Sequence, residues 1–352
     1  MLFAEILEKW VSLGRPAWDT EDSFSREVAG KEHTINTILG RQLLPAHPIV
    51  VLALLQTMES VRNPGTVNGS YGELYEALMT GKLASVSKRP SDVGIMYAII
   101  SRLAYRLYDN AITSVSNDEI EAVCDEFFAG YDIRRAAQSV IDELLKAGIL
   151  KEVGGSFTFF YQYYYHFFVA RYFRDTIGDP IRMSILKERL VHMADRVYYE
   201  ILQNIIVFYL YLTKDTGVID HILNNASAIY VEREPCSLDG DVYGLNVLAN
   251  APEPIQLQSE DTEKNRETLR ENLDNLEEQA IAPNESGEKL VYDDALSDII
   301  KLNIAFKTIH ILGHVLRSFP GDVKKELKTR VAEQCYRFGT SHIGLRARSF
   351  WQ

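Results

Sequence analysis

The sequence predicts a mainly α-helical protein, a helical bundle or array with an embedded winged-helix unit that carries one β-hairpin. Three observations predict this fold. Apolar residues recur at helical spacing over most of the 352 residues. The pair Gly154-Gly155 separates two short runs of strand-forming residues, as a two-residue hairpin turn would. Residues 157–173 then include eleven aromatic side chains, and we expect this aromatic block to continue as a buried helix.

The first 90 residues predict a helical domain of their own. An apolar stripe over residues 2–11 forms a helix that ends at Gly14. Thr34 is placed to cap a second helix over residues 34–39. Pro48 suits the first turn of a strongly apolar helix over residues 49–60. A further amphipathic helix covers residues 74–83.

Residues 91–175 predict the winged-helix domain. A long helix over residues 92–108 precedes Ser116 and Glu119, which have the spacing of a capping box. The helix that begins at this capping box is followed by another from Asp132 to Ala147. Gly148 is placed as the left-handed cap of that second helix. Strands over residues 149–153 and 157–161 then pair around the glycine turn.

Residues 176–352 predict a third domain, a helical sensor or docking domain with an acidic segment over residues 258–288. Ten acidic and three basic residues give that segment a charge of −7, more than half of the net charge of −12. A polar helix over residues 262–280 is either solvent-bridging or a docking helix. Long helices over residues 295–319 and 323–338 complete the domain.

Composition and charge exclude several classes of protein. The three cysteines are far apart and form no C-x-x-C pair, so we expect neither disulfides nor a zinc site. This pattern is typical of a protein in a reducing cytosol. The first ten residues lack the pattern of a signal peptide. The longest apolar runs are too short to span a bilayer. We therefore expect a cytoplasmic protein with no membrane partner.

The sequence lacks the common motifs of catalysis and metal binding. It contains no G-x-x-x-x-G-K-[ST], G-x-G-x-x-G, G-x-S-x-G or H-E-x-x-H motif. His310 and His314 have the spacing of metal ligands on one helix, but Ile311 stands where a zinc protease has its glutamate. Two satisfied histidines on a packed helix are the favoured interpretation. We expect no catalytic residue, no metal ligand and no enzymatic activity.

A winged helix raises the question of DNA binding, since the helix before the wing can enter the major groove. The basic and acidic residues of that predicted helix balance: Arg134, Arg135 and Lys146 stand against Asp132, Asp142 and Glu143. The aromatic residues 157–169 contain no Lys or Arg that would accompany base stacking. We expect no nucleic-acid partner.

Three segments resemble one family of signalling ATPases. Residues 46–55, AHPIVVLALL, resemble the start of the helical domain that follows the P-loop domain in STAND-type ATPases with a NACHT or related module, with Pro48 at the matching proline. Residues 159–170, FFYQYYYHFFVA, are similar to the end of that family's winged helix. Tyr161 stands at the family's histidine and His166 at its glutamate. Residues 305–313, AFKTIHILG, are similar to a tail found in bacterial members.

The resemblance implies a regulatory and sensing segment of a STAND-type ATPase, in bacterial antiviral defence. Pro48 would lie near the adenine and Tyr161 near the phosphates of ATP or ADP with magnesium, when a P-loop domain or polypeptide supplies the nucleotide site. Without that partner the resemblance implies no bound cofactor. It also implies a protein trigger and oligomerisation on activation. A winged-helix transcription regulator with a helical ligand-binding half, and a helical scaffold, remain the alternatives.

Overall fold

The structure is a computed structural model that describes residues 2–13, 20–39, 51, 52, 55, 71–197, 199–229, 298–318 and 321–349. In these ranges it contains twelve helices and one two-stranded antiparallel hairpin, which confirms the predicted mainly helical fold class. The elements before the hairpin are α1 (Leu2–Leu13), α2 (Glu21–Leu39), α3 (Tyr71–Val86), α4 (Pro90–Asp109), α5 (Asn117–Gly130) and α6 (Ala137–Lys146). The hairpin and later helices are β1 (Leu150–Val153), β2 (Ser156–Phe159), α7 (Gln162–Thr176), α8 (Met183–Ala194), α9 (Glu200–Thr213), α10 (Thr216–Ala228), α11 (Asp298–Ser318) and α12 (Lys325–Ser349).

The chain divides into two compact units. The first contains residues 1–229 and 304–336, and the second contains residues 230–303 and 337–352. Described residues of the second unit are 298–303 and 337–349, which are helical. The hairpin and the helices that surround it lie in the first unit. The predicted helix at Pro48 and the acidic segment 258–288 lie outside the described residues.

The hairpin and the helix α5 form where local sequence signals predict them. Ser116 and Glu119 make both bonds of the predicted capping box at the start of α5. Gly154 and Gly155 have φ angles of +60° and +78°, as the tight turn between β1 and β2 requires. In the hairpin Leu150 pairs with Phe159 and Val153 with Ser156. Gly148 has a φ angle of +63°, which is the predicted left-handed cap.

A single residue before α5 also pairs with the hairpin. Val115, just before α5, forms an antiparallel bridge with Phe157 of β2. The amide of each residue donates to the carbonyl of the other, at 3.0 and 2.7 Å. The chain order is therefore α4, a single bridged residue, α5, α6, β1 and β2.

Three predicted helix boundaries differ from the structure by about five residues or more. The helix before the hairpin begins at Ala137 and not at Asp132, whose φ angle of +49° is left-handed. Thr34 does not cap a helix, because α2 begins at Glu21 and runs through it to Leu39. The last helix continues beyond Gly339 to Ser349, since a single glycine costs only about 1 kcal/mol within a helix.

The aromatic block forms the centre of the core. It becomes α7, which packs most extensively against α4 and α9. Its fully buried members include Tyr164, Phe167, Phe168 and Phe173. Each such side chain contributes on the order of 2 kcal/mol through burial. The prediction of a buried aromatic helix directly after the hairpin is confirmed.

Candidate functional site

The end of the hairpin places Tyr161 between a strand and the central helix. Tyr161 is the N-cap of α7 and has extended backbone, with φ −125° and ψ 142°. Its carbonyl accepts a hydrogen bond from the amide of Tyr164 at 3.1 Å. The position is thus fixed by β2 on one side and by the first turn of α7 on the other.

Four tyrosines from α3 and α7 surround this junction. We call Tyr75, Tyr161, Tyr163 and Tyr164 the tyrosine cluster. The ring of Tyr161 stacks on that of Tyr163, with 5.2 Å between centroids and 12° between planes. Tyr163 also meets Tyr164 edge to face at 4.6 Å and Tyr75 at 5.9 Å. The cluster therefore joins the predicted first helical domain to the helix that follows the hairpin.

Burial determines the chemistry of these hydroxyls. It raises the pKa of Tyr164 to about 12 and that of Tyr75 well above the ordinary tyrosine value. Burial is also the main reason that the pKa of Tyr163 is raised. All three phenols are protonated near neutral pH. They can donate hydrogen bonds, but they cannot act as bases.

Lys82 is a cation placed beside the cluster. Its Nζ lies 5.7 Å from the centroid of the Tyr164 ring, within cation–π distance. The same atom lies 4.0 Å from where a Cβ would stand on Gly148. Partial burial lowers the pKa of Lys82 from the ordinary lysine value. The side chain thus brings a positive charge from α3 to the residue that leads into the hairpin.

An ion-pair group ties α3 to α7 next to the cluster. The carboxylate of Glu76 accepts a short hydrogen bond from Arg171 and lies 3.3 Å from Nη1 of Arg174. Asp175 completes the group, 2.8 Å from Nε of Arg174. The guanidinium of Arg171 also lies 3.8 Å from the ring centroid of Tyr97 on α4. One carboxylate of α3 is therefore held by two arginines of the central helix.

His166 stands where the resemblance places a glutamate. Its side chain is 4% exposed, and Nε2 has no hydrogen-bond partner among the described residues. Burial lowers the pKa of His166 to about 3. The imidazole is neutral at physiological pH. This position therefore offers no charge to a ligand.

The helix before the hairpin presents little positive charge. Arg135 donates a short hydrogen bond to Glu143 within α6, and its Nη1 lies 4.0 Å from Asp92 of α4. Both carboxylates are buried. On the outer face, Gln138 donates to Asp142 at 2.9 Å. A phosphate backbone would meet an acidic residue there.

His310 and His314 lie on α11 and contact side chains of α9. Their Nε2 atoms are 3.2 Å apart. Nδ1 of His310 is 2.8 Å from Nε2 of Gln203, and Nδ1 of His314 is 2.9 Å from the hydroxyl of Tyr211. The predicted packed helix with two hydrogen-bonded histidines is what the structure contains.

The described parts of the chain contain no group of three or more His, Cys, Asp or Glu residues that could hold a metal ion. Cys124 is a free, buried thiol, and burial raises its pKa to about 12, so it is not a nucleophile. The described helices also include none with the length and apolarity needed to cross a bilayer.

Of the two residues predicted to approach a nucleotide, the structure describes one. Tyr161 lies at the junction described above, whereas Pro48 lies outside the described residues. The sequence reasoning missed Lys82 and Glu76, which lie near the cluster. Helical spacing alone placed them on α3, but only tertiary packing brings α3 against α7. No local motif marks either residue.

Comparison with known proteins matches one part of the chain to a family. Residues 113–169 match the family model described as Novel STAND NTPase 4. This range begins two residues before the bridged Val115 and ends within α7, so it covers α5, α6, the hairpin and the start of the aromatic helix. The match supports a relation to STAND-type NTPases. No curated protein matches the chain.

Proposed function

We propose that this chain is a regulatory and sensing segment of a STAND-type NTPase and that it has no catalytic activity of its own. The observation that carries the proposal is the position of the family match. The matched range contains α5, α6 and the hairpin, and Val115 at its start pairs with Phe157 of the hairpin. Together with the preceding helix α4, its chain order of helix, bridged residue, two helices and hairpin supports the interpretation as a winged helix.

The proposed role is to hold a nucleotide-bound P-loop domain in a closed state. Tyr161 stands at the strand–helix junction, so a phenol takes the position where the family has a histidine. Lys82 supplies a positive charge close to the junction, 5.7 Å from the centroid of the Tyr164 ring. Pro48 would approach the adenine. ATP or ADP with magnesium would be bound by the P-loop domain, with these residues as secondary contacts.

Such regulation needs a contact that can be either formed or broken. The contact between α3 and α7 could act in this way, because its ion pairs and tyrosine contacts join the predicted helical domain to the winged unit. We propose that a protein trigger acts through the helices that follow α7 and releases this contact. Cytoplasmic location, a function in bacterial antiviral defence and oligomerisation on activation belong to the same proposal.

The charge of α6 argues against the alternative of a transcription regulator. Arg135 is held by Glu143, and Asp142 lies on the outer face. Binding to phosphates depends on basic residues that are free to replace counterions. Salt-dependent binding of the purified chain to random-sequence duplex DNA would favour that alternative instead.

Nucleotide-dependent association tests the proposal. The purified chain would be mixed with the P-loop domain encoded in the same or the neighbouring reading frame, in the presence of ADP or of a non-hydrolysable ATP analogue. Size-exclusion chromatography would measure complex formation. We expect a complex with ADP and a weaker one with the ATP analogue, because the closed state is the one that this segment holds.

Two tyrosines provide matched variants for this experiment. Tyr161→Ala should weaken the ADP complex, since this side chain is the one proposed near the phosphates. Tyr131→Ala should leave it unchanged, because Tyr131 is 62% exposed and lies at the end of α5, outside the tyrosine cluster. A complex that is indifferent to the nucleotide, or no complex with either one, would contradict the proposal.

A further inference from the structure

The two histidines of α11 converge through one pair of ring nitrogens. His310 and His314 are one turn apart, and their Nε2 atoms approach to 3.2 Å. Two nitrogens bound to one tetrahedral zinc ion at about 2.0–2.1 Å lie about 3.3 Å apart. The observed separation of the two nitrogens is therefore close to that of a chelate. Both residues are partly exposed, so water can reach them.

The other nitrogen of each ring is held by the helix α9. Gln203 contacts Nδ1 of His310 at 2.8 Å, and Tyr211 contacts Nδ1 of His314 at 2.9 Å. Gln203 and Tyr211 are 3% and 4% exposed. Histidine ligands of metals typically carry such a hydrogen bond on the nitrogen that does not bind, and it fixes the orientation of the ring.

One arrangement of the protons satisfies all three of these hydrogen bonds. If the Gln203 amide donates to Nδ1 of His310, then Nε2 of His310 carries its proton and donates to Nε2 of His314. His314 then carries its proton on Nδ1 and donates it to the Tyr211 oxygen. His314 already has the tautomer that a metal ligand needs. His310 reaches it when its proton moves to Nδ1 and the Gln203 amide turns to present its oxygen.

We propose that His310 and His314 form a two-histidine chelate for a divalent late transition-metal ion, with Zn²⁺ as the representative ion. Imidazole nitrogens suit Zn²⁺, Cu²⁺ and Ni²⁺, whereas Mg²⁺ and Ca²⁺ prefer oxygen ligands. Water completes the coordination. The binding of the ion replaces the hydrogen bond between the rings and leaves both of them neutral. This assignment revises the expectation, from the sequence, that the chain binds no metal.

The position of the chelate gives it a structural consequence. The ligands lie on α11 and the residues that orient them lie on α9, while Ile311 and Leu312 of α11 belong to the core. An ion that binds only the oriented pair stabilises the packing of α11 against α9 by mass action. Binding should therefore raise the thermal midpoint of the protein in proportion to the logarithm of the ion concentration.

Calorimetric titration of the full chain with Zn²⁺ near neutral pH tests the assignment. The protein should carry no histidine tag. We expect saturable binding of one ion per chain at this site, which is lost in His310→Ala and in His314→Ala. Tyr211→Phe keeps both ligands and should weaken binding about tenfold, the effect typical of a lost orienting hydrogen bond.

His221→Ala provides the matched control, because this histidine lies on α10 and is bonded to Asp195 at 2.7 Å. It should bind Zn²⁺ as the original chain does. The Cu²⁺ spectrum of the unmodified chain, measured by electron paramagnetic resonance, should show coupling to two imidazole nitrogens and needs no variant to fold. Absence of saturable binding, retained binding in the His314→Ala chain, or a copper spectrum without that coupling would each overturn the assignment.

Discussion

Two buried tyrosines on neighbouring helices differ in whether their hydroxyls form hydrogen bonds. The hydroxyl of Tyr97 on α4 donates to the carbonyl of Glu76 at 2.9 Å and bonds to Thr80 at 2.8 Å. The hydroxyl of Tyr75 is buried and has no hydrogen-bond partner among the described residues. A buried polar group without a partner costs free energy, whereas a bonded one contributes to stability.

Phenylalanine variants therefore separate the two positions. Tyr97→Phe should lower the free energy of unfolding by about 1 kcal/mol, the value of a typical lost hydrogen bond. Tyr75→Phe should leave it unchanged or raise it by up to about 1 kcal/mol, since the ring remains and only the unbonded hydroxyl is removed. Urea denaturation would measure both variants. A larger loss for Tyr75→Phe than for Tyr97→Phe would contradict this account of the cluster.

His166 makes the stability depend on pH. Its pKa is about 3 in the folded protein and ~6.5 in the unfolded chain. Between these values the unfolded chain binds a proton that the native state does not bind. The free energy of unfolding should therefore fall as the pH falls from about 6.5, with a slope on the order of 1 kcal/mol per pH unit from this residue.

The substitution His166→Leu removes the titrating ring and keeps an apolar side chain of similar size. Denaturation curves between neutral pH and mildly acidic pH should then show a smaller loss of stability for the variant than for the unmodified chain. His221→Leu serves as the control, because that imidazole is partly exposed and bonded to Asp195. An equal pH dependence in the unmodified and His166→Leu chains would refute the role of the buried ring.

The sequence predicted the residues whose conformation is decided locally. The capping box at Ser116, the cap at Gly148 and the turn at Gly154-Gly155 each depend on a few adjacent residues. Lys82 and Glu76 could not be predicted in the same way, because their environment comes from α7, about 80 to 95 residues further along the chain. The convergence of two Nε2 atoms on α11 similarly depends on ring orientations that Gln203 and Tyr211 set.

At the scale of elements, two glycines should respond in opposite directions to the same substitution. Gly155→Ala places a side chain at φ +78° in the hairpin turn and should cost about 1–2 kcal/mol. Gly94→Ala lies within α4, where nothing stands within 4 Å of the added Cβ, and should stabilise the protein by about 0.5–1 kcal/mol. Thermal denaturation would compare them. Destabilisation by Gly94→Ala, or none by Gly155→Ala, would contradict the assigned elements.

The contact between α3 and α7 depends on one carboxylate. Glu76→Gln keeps the shape of the side chain but removes its charge from Arg171 and Arg174, so we expect a loss of roughly 1–2 kcal/mol after allowance for partial exposure. Glu188→Gln on α8 is the control, because this exposed residue has no ion pair in the described part of the structure. Equal stabilities of the two variants would exclude an energetic role for the ion-pair group.

Element boundaries were harder to predict than element types. The prediction started one helix at Thr34 and ended another at residue 338, yet α2 runs through Gly30 and Thr34, and α12 runs through Gly339. The buried side chains Ile35 of α2 and Phe338 of α12 show that packing outweighs the weak cost of a glycine there. The spacing of apolar residues predicted the helices correctly, but it could not predict which glycines the tertiary structure would tolerate within them.

At the scale of the whole molecule, the central claim is that this chain restrains an NTPase that another domain or polypeptide supplies. The match of residues 113–169 to a STAND NTPase family supports that relation. The ion pairs and ring contacts between α3 and α7 are the contact that we propose regulation opens. An expected consequence is that the chain alone does not hydrolyse MgATP.

The most direct test measures the steady-state ATPase rate of the partner P-loop domain with and without an excess of this chain. The purified chain alone and a boiled sample serve as controls. The account predicts that the chain alone has no turnover and that its addition lowers the rate of the P-loop domain, with less effect from the Tyr161→Ala variant. Turnover by the chain alone, or an ATPase rate that the chain leaves unchanged, would contradict it.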